Sequence, residues 1–167
     1  MISLSLDSIN HKAEYKVEPS GRKDYCSFWT DFGVQYLVGF DEDNSSLVMT
    51  SYQLVIVNVN NKKSPLDPKV RDTIIAIVED FFLENNEVIL YICETGDGKQ
   101  SFRDKLFERW VLHYHGTLPV SRYSATVMDE GIVNFATIIL RNDHPNYQGV
   151  VRDFTETTTL LNSKPTK

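Results

Sequence analysis

The chain is short of cysteine, of long apolar runs and of basic charge. Only Cys26 and Cys93 occur among its 167 residues, and no C-x-x-C spacing exists. That excludes a multi-bridge disulfide scaffold and a zinc-ribbon pattern. Two buried thiols in a reducing compartment are expected, with a single bridge between them as the alternative. The purest apolar run, Val88 to Cys93, falls far short of the roughly 20 residues a membrane helix needs. The opening Met1-Ile2-Ser3-Leu4-Ser5-Leu6-Asp7 has no basic start and no sustained apolar stretch, so no signal peptide and a cytoplasmic location are expected. Acidic residues outnumber basic ones by 23 to 17, for a net charge of −6, which argues against a general nucleic-acid or anionic-membrane binder.

What is present reads as an ordinary globular domain. Hydrophobic residues at 41% and charged residues at 24% exclude collagen-like and disordered classes. The length fits one domain over residues 1–167 with a frayed tail at 163–167.

The first third is rich in aromatic and β-branched residues. Tyr25 to Thr30 and Val34 to Phe40, separated by Asp31-Phe32-Gly33, form a β-hairpin pattern. A solvated acidic loop, Asp41 to Ser46, leads into an extended stretch from Leu47 to about Val59. Its alternation sets Val55, Val57 and Val59 on one face, as a half-covered strand requires. Asp67-Pro68 then signals a helix: the carboxylate can accept an orphan N–H, and proline at the first helical position lacks the N–H that would be unpaired. Val70, Ile74, Ile77, Val78 and Phe81 repeat at helical spacing, with Glu79 and Asp80 largely outside the stripe, and the helix ends near Asn85-Asn86.

Val88 to Cys93 reads as a strand buried on both faces. A second helix is expected from Asp97 to about Tyr114, carrying Phe102, Leu106, Trp110 and His113 on its apolar stripe. A hairpin follows around Asp129-Glu130-Gly131, and a last helix runs from Tyr147 to Leu161 with Val150, Val151, Phe154 and Leu161 inward. The order implies an α+β fold: a single mixed, mostly antiparallel sheet with about three helices.

The turn Thr95-Gly96-Asp97-Gly98-Lys99 holds the candidate site. A glycine-bracketed passage from a buried strand into a helix presents unpaired N–H groups, and Lys99 and Arg103 add charge, so Gly96, Gly98, Lys99 and Arg103 form a candidate anion site. It is not a P-loop: Cys93 stands where the first glycine belongs, and Gln100 replaces the Ser or Thr. His113 and His115 point to opposite sides of a helix and cannot share a metal. Asp41-Glu42-Asp43 lacks the glycine and the terminal glutamate of a calcium loop. No catalytic constellation and no metal site emerge, which favours a non-catalytic module.

Two resemblances extend this reading. The stretch Tyr91 to Gln100 through Phe107-Glu108-Arg109-Trp110, with Ser64-Pro65-Leu66-Asp67-Pro68-Lys69-Val70 upstream, resembles a family of small uncharacterised bacterial proteins, a domain of unknown function. That likeness implies no activity. It implies no cofactor and leaves the partner an unknown protein. From Leu47 to Arg141 the succession strand, helix, strand, helix, hairpin is similar to the core of the GCN5-related acetyltransferases. This second likeness implies acetyl-CoA as cofactor and, as the alternative function, a divergent or degenerate acyl-CoA-dependent N-acetyltransferase-like enzyme. In that family a glycine-containing loop precedes the first of these helices. Here Asn60 to Leu66 takes its place without a glycine, and Phe107 stands where a tyrosine acid is often found.

Arg103 falls on the apolar arc of its expected helix, between Trp110 and Tyr114, so its guanidinium needs a carboxylate such as Glu94 or Asp80. Arg103→Met keeps the apolar stem and deletes the charge. A clear drop in the urea midpoint is the expected result, and an unchanged midpoint with lost anion affinity would make Arg103 a ligand residue.

Overall fold

The computed structural model describes residues 2–43, 51–63, 65–94, 119–129 and 131–163. Among them the chain runs α1 (Leu6–Lys12), β1 (Glu18–Pro19), β2 (Tyr25–Trp29), β3 (Gln35–Glu42), β4 (Ser51–Asn58), α2 (Pro68–Glu84), β5 (Val88–Glu94), β6 (Val120–Asp129), β7 (Ile132–Arg141) and α3 (Tyr147–Asn162). The strands form one sheet in the order β1-β2-β3-β4-β5-β7-β6. β4 and β5 run parallel, whereas β1–β2, β2–β3, β5–β7 and β6–β7 are antiparallel. This is the expected α+β class with a mixed, mostly antiparallel sheet. The helix expected over Asp97–Tyr114 lies outside the described residues. None of the described helices is long and apolar enough to cross a membrane. Two compact units make up the chain, Met1–Asp41 with Leu54–Asn86 and Glu42–Gln53 with Glu87–Lys167.

In the first unit the β2–β3 hairpin forms as its residue pattern demands. Trp29 pairs with Gln35 and Tyr25 with Gly39. Gly33 takes a φ of +74°, which a β-carbon would resist. The Thr30 hydroxyl accepts N–H bonds from Phe32 and Val34, each at 3.2 Å. Cys26 and Phe28 are buried on one face, and Phe40 on that face stacks on Phe81 of α2 at 4.5 Å.

Helix α2 begins where the sequence signals it. Asp67 accepts the Lys69 N–H at 3.0 Å, Pro68 is the first helical residue, and Asn85 is the C-cap. Val70, Ile74, Ile77 and Phe81 are buried as expected, and so are Thr73 and Asp80. Asp80 is the correction: it lies inside the packed face, not beyond it. The cause is α1, which the sequence reading missed because seven residues are too few to show a helical period. Ser5 caps α1 by accepting the Ser8 N–H, and the Ser5 N–H donates to Asp80 Oδ2 at 2.8 Å. Asn85 holds the same segment by exchanging two bonds with the Ser3 backbone, at 2.8 and 2.9 Å.

Strand β4 is half covered, as its alternation requires, and the valine face is the open one. Tyr52 and Leu54 are buried, whereas Val57 and Val59 are exposed. Both alternating sets are apolar, so a period of two marks the strand without choosing its inner side. The acidic loop also differs, because Asp41 and Glu42 belong to β3. Asp43 is buried and accepts bonds from Ser51 Oγ and Gln53 Nε2 at 3.2 and 3.0 Å.

In the second unit β5 is an interior strand, pairing Val88–Leu90 with β4 and Ile89–Glu94 with β7. Val88, Ile89 and Leu90 are fully buried, but Ile92 is 37% exposed, so two-sided burial holds only for the first half of the run. The β6–β7 hairpin turns after Asp129, with Gly131 at φ +79°. Val150, Phe154 and Thr158 of α3 are buried, with Val150 and Phe154 packing against Leu90, Val127, Ile138 and Leu140. Asn162, the last residue of α3, accepts the Met128 N–H and donates to Thr126 O, at 3.0 and 2.7 Å. Its amide thereby occupies backbone groups on the outer edge of β6 that another chain could otherwise pair with.

Amide exchange at Ile89 and Leu90 is expected to be among the slowest in the chain, since both are buried within paired strands; rates like those of Ser163 would refute the sheet order. Asp67→Ala should cost about 1 kcal/mol through the lost cap, measured by urea unfolding.

Candidate functional site

Strands β2, β3 and β4 bury the face turned to α2 and leave the other face open. Two bonds, Val59 N–H to Gln35 O at 2.8 Å and Asp43 N–H to Ser51 O at 2.9 Å, share one antiparallel register between β3 and β4. That register sets Leu37 opposite Val57 and Gly39 opposite Val55. Trp29 pairs with Gln35 and Ser27 with Leu37. Trp29, Leu37, Val57 and Val59 therefore lie together on the open face, with Trp29 54% exposed and Val57 and Val59 also exposed. Single exposed apolar residues are ordinary, but neighbours across three strands form a patch.

The patch ends where Tyr25 covers the sheet. A β-carbon at Gly39 would run into the Tyr25 ring, so glycine is required for the ring to lie flat across β3. The Arg22 guanidinium sits 4.1 Å from that ring's centre and 3.6 Å from Asp41. Burial, with an Asp41 hydrogen bond as the next cause, pushes the Tyr25 hydroxyl up to about 12.

At the opposite end Tyr15 joins three elements. Its ring stacks on Phe28 at 5.9 Å. Its hydroxyl donates to Asp67 Oδ2 at 2.5 Å and accepts the Asp31 N–H at 3.3 Å. Burial first, and the Asp67 bond second, push this hydroxyl up to about 12. Lys69 bonds Asp31 at 3.2 Å. Asn60 accepts the Gln35 N–H and donates to Gly33 O, at 3.2 and 2.8 Å, so the turn is pinned from both sides.

Two titratable groups lie buried on the covered side. Asp80 is 2% exposed, and its Oδ1 has no hydrogen-bond partner among the described residues. Burial raises its carboxyl above 3.8 and nearby Glu84 adds to the rise, while the Ser5 N–H and Lys12 oppose it. Cys26 is a free thiol, pushed up to about 12 by burial and secondarily by Asp80, so it is a poor nucleophile.

The second unit has an open groove of about 480 Å³ lined by Tyr123, Tyr147, Gln148, Arg152 and Glu156. The Tyr123 and Tyr147 hydroxyls lie 2.5 Å apart. The bond to Tyr147 raises the Tyr123 hydroxyl above its ordinary value, so Tyr123 keeps its proton at neutral pH and is no general base.

The candidate anion site Gly96, Gly98, Lys99 and Arg103, with His113, His115 and Phe107, lies outside the described residues. Among those described, no group of three His, Cys, Asp or Glu side chains is placed to hold a metal. The loop that the acetyltransferase likeness assigns to a cofactor has no glycine. Asn60 binds the hairpin turn, and Asn58 just before it donates to Lys62 O at 2.8 Å. These residues do not fit a phosphate cradle, and no transfer step follows from them. The open face went unseen in the sequence; the signal available was Trp29 on the face opposite Cys26 and Phe28.

The chain belongs to a family of unknown function, DUF6169, whose model matches residues 66–156. No curated protein and no solved structure matches the chain.

Asp80 sets a pH dependence. A carboxyl raised by burial binds its proton more readily in the folded than in the unfolded chain. Ionised Asp80 therefore costs stability near pH 7, and that cost disappears as pH falls through the raised value toward 3.8. Asp80→Asn is expected to raise the urea midpoint at pH 7, with the gain shrinking toward pH 4. A gain independent of pH would assign the effect to packing.

Proposed function

We propose that this family member is a non-catalytic interaction module whose open β2–β3–β4 face docks a partner protein. One observation carries the reading: Trp29, Leu37, Val57 and Val59 share one sheet face around Gln35, and Trp29 is more than half exposed. Large exposed aromatic side chains within an apolar patch are favoured anchors of protein interfaces. A different protein is a better occupant than a second copy, because each copy carries a net charge of −6 and association of copies works against that repulsion.

A second reading, a divergent acyl-CoA-dependent N-acetyltransferase-like enzyme, is supported by the sheet order. One parallel pair, β4–β5, sits within an otherwise antiparallel arrangement, and β7 lies between β5 and β6. That layout loosely resembles the GCN5-related core. Fold likeness alone does not license an activity.

Two measurements separate the readings. The tagged wild-type chain should recover a stoichiometric partner from its own cells, and the Trp29→Ser/Val59→Ser chain, equally folded by near-ultraviolet dichroism, should not. Identical recovery by both would refute the open-face reading. Acetyl-CoA at millimolar concentration should leave the melting temperature unchanged. A saturable rise, about 2.7 kcal/mol at 100 times the dissociation constant, would favour the enzyme.

A further inference from the structure

The hairpin end of the open face shows what kind of partner it fits. Phe32 directly follows Asp31 and Leu66 directly precedes Asp67. One hydroxyl, that of Tyr15, holds both of those neighbours. The two apolar side chains therefore follow and precede residues bound to one hydroxyl, and they are 56% and 86% exposed. Neither supports the core, and the residues beside them, Asp31 and Asp67, are already held by Tyr15, so docking there loses less conformational freedom.

Lys62, Lys63 and Lys69 outnumber the carboxylates Asp31 and Asp67 at this end. Asp31 is engaged by Lys69. Asp67 accepts from the Tyr15 hydroxyl and from the Lys69 N–H. Lys62 reaches over the same turn, its Nζ 3.1 Å from where a β-carbon on Gly33 would stand, and Lys63 follows it in an exposed position. Neither lysine has a carboxylate partner among the described residues. Glu14 carries an unpaired carboxylate, but the adjoining Tyr15 N–H is held by Thr73, about 9 Å along α2 from Asp67. The acidic chain thus carries two lysines without an ion-pair partner among the described residues in the loop that leads to Leu66, one of them over the Phe32 turn.

We infer that this end receives an acidic segment of the partner protein, with apolar side chains seated on Phe32 and Leu66 and carboxylates facing Lys62 and Lys63. The inference rests on the interaction-module reading and adds the partner's chemistry. Charge complementarity at the rim would steer the encounter and fix its register, while the apolar pair supplies contact area. Single-stranded nucleic acid is the rival occupant, since lysines beside an aromatic ring also suit it.

A phage library of random 12-residue peptides, selected on the immobilised full chain, tests this directly. The expected result is enrichment of sequences with Asp or Glu in excess and at least two large apolar residues. A labelled peptide from that pool should bind at least tenfold more weakly to Lys62→Glu/Lys63→Glu and to Phe32→Ser, by fluorescence anisotropy. All the altered residues are exposed, so melting temperatures should match the wild type. No enrichment, enrichment without acidic excess, or equal affinity for the lysine variant overturns the inference, as does tighter binding of oligothymidine than of any selected peptide. Selected peptides that lose affinity for Trp29→Ser/Val59→Ser but not for the lysine variant overturn the inference and leave the module reading standing. Indifference to both variants removes both.

Discussion

One helical layer can cover only one face of a sheet, and most features of the first unit follow from that constraint. Helix α2 lays Ile74, Ile77 and Phe81 on the side that carries Phe28, Val38 and Phe40. α1 adds to α2 rather than to the sheet's other side, tied by Lys12–Glu79 at 2.6 Å and by Ser5–Asp80. Among the described residues Tyr25 is the one large buried side chain on the opposite face, and Trp29, Val57 and Val59 stand open beyond it. The same layering encloses Asp80, because α1 closes over a helix position that α2 alone would leave in water.

Asp67 shows how a local signal gains a tertiary role. As a cap it satisfies one orphan N–H of α2. As acceptor for Tyr15 it also binds the helix start to the ring that stacks on Phe28. That ring's hydroxyl orients the hairpin turn through the Asp31 N–H. A single residue thus connects helix initiation to the placement of Phe32 and Leu66, which lie outside the core altogether.

Much of the fold was legible in order and type. The two hairpins, the Asp67-Pro68 start of α2, the interior position of Val88–Leu90 and the inward face of α3 each follow from patterns within a few residues. α1 was not legible, because its only buried residue is Ile9 and one apolar position defines no period. The candidate site was less legible still. The anion turn at Gly96–Arg103 lies outside the described residues, and the open face depends on partners distant in sequence: Trp29 meets Gln35 across a turn, and Val59 meets Gln35 from the next strand's end.

The sequence by itself determined where most of the described strands and helices begin, α1 excepted. Alternation, helical spacing, the proline at the helix start and the glycines at positive φ act through neighbouring residues. Tertiary structure alone decided which face of β4 is covered, that Asp80 and Asp43 are inside, and that exposed apolar residues from three strands meet on one surface. In β4 both faces are apolar, so periodicity could not choose between Tyr52–Leu54 and Val57–Val59. The choice belongs to the helix that packs there, and a helix buries whichever face the chain's topology brings beneath it.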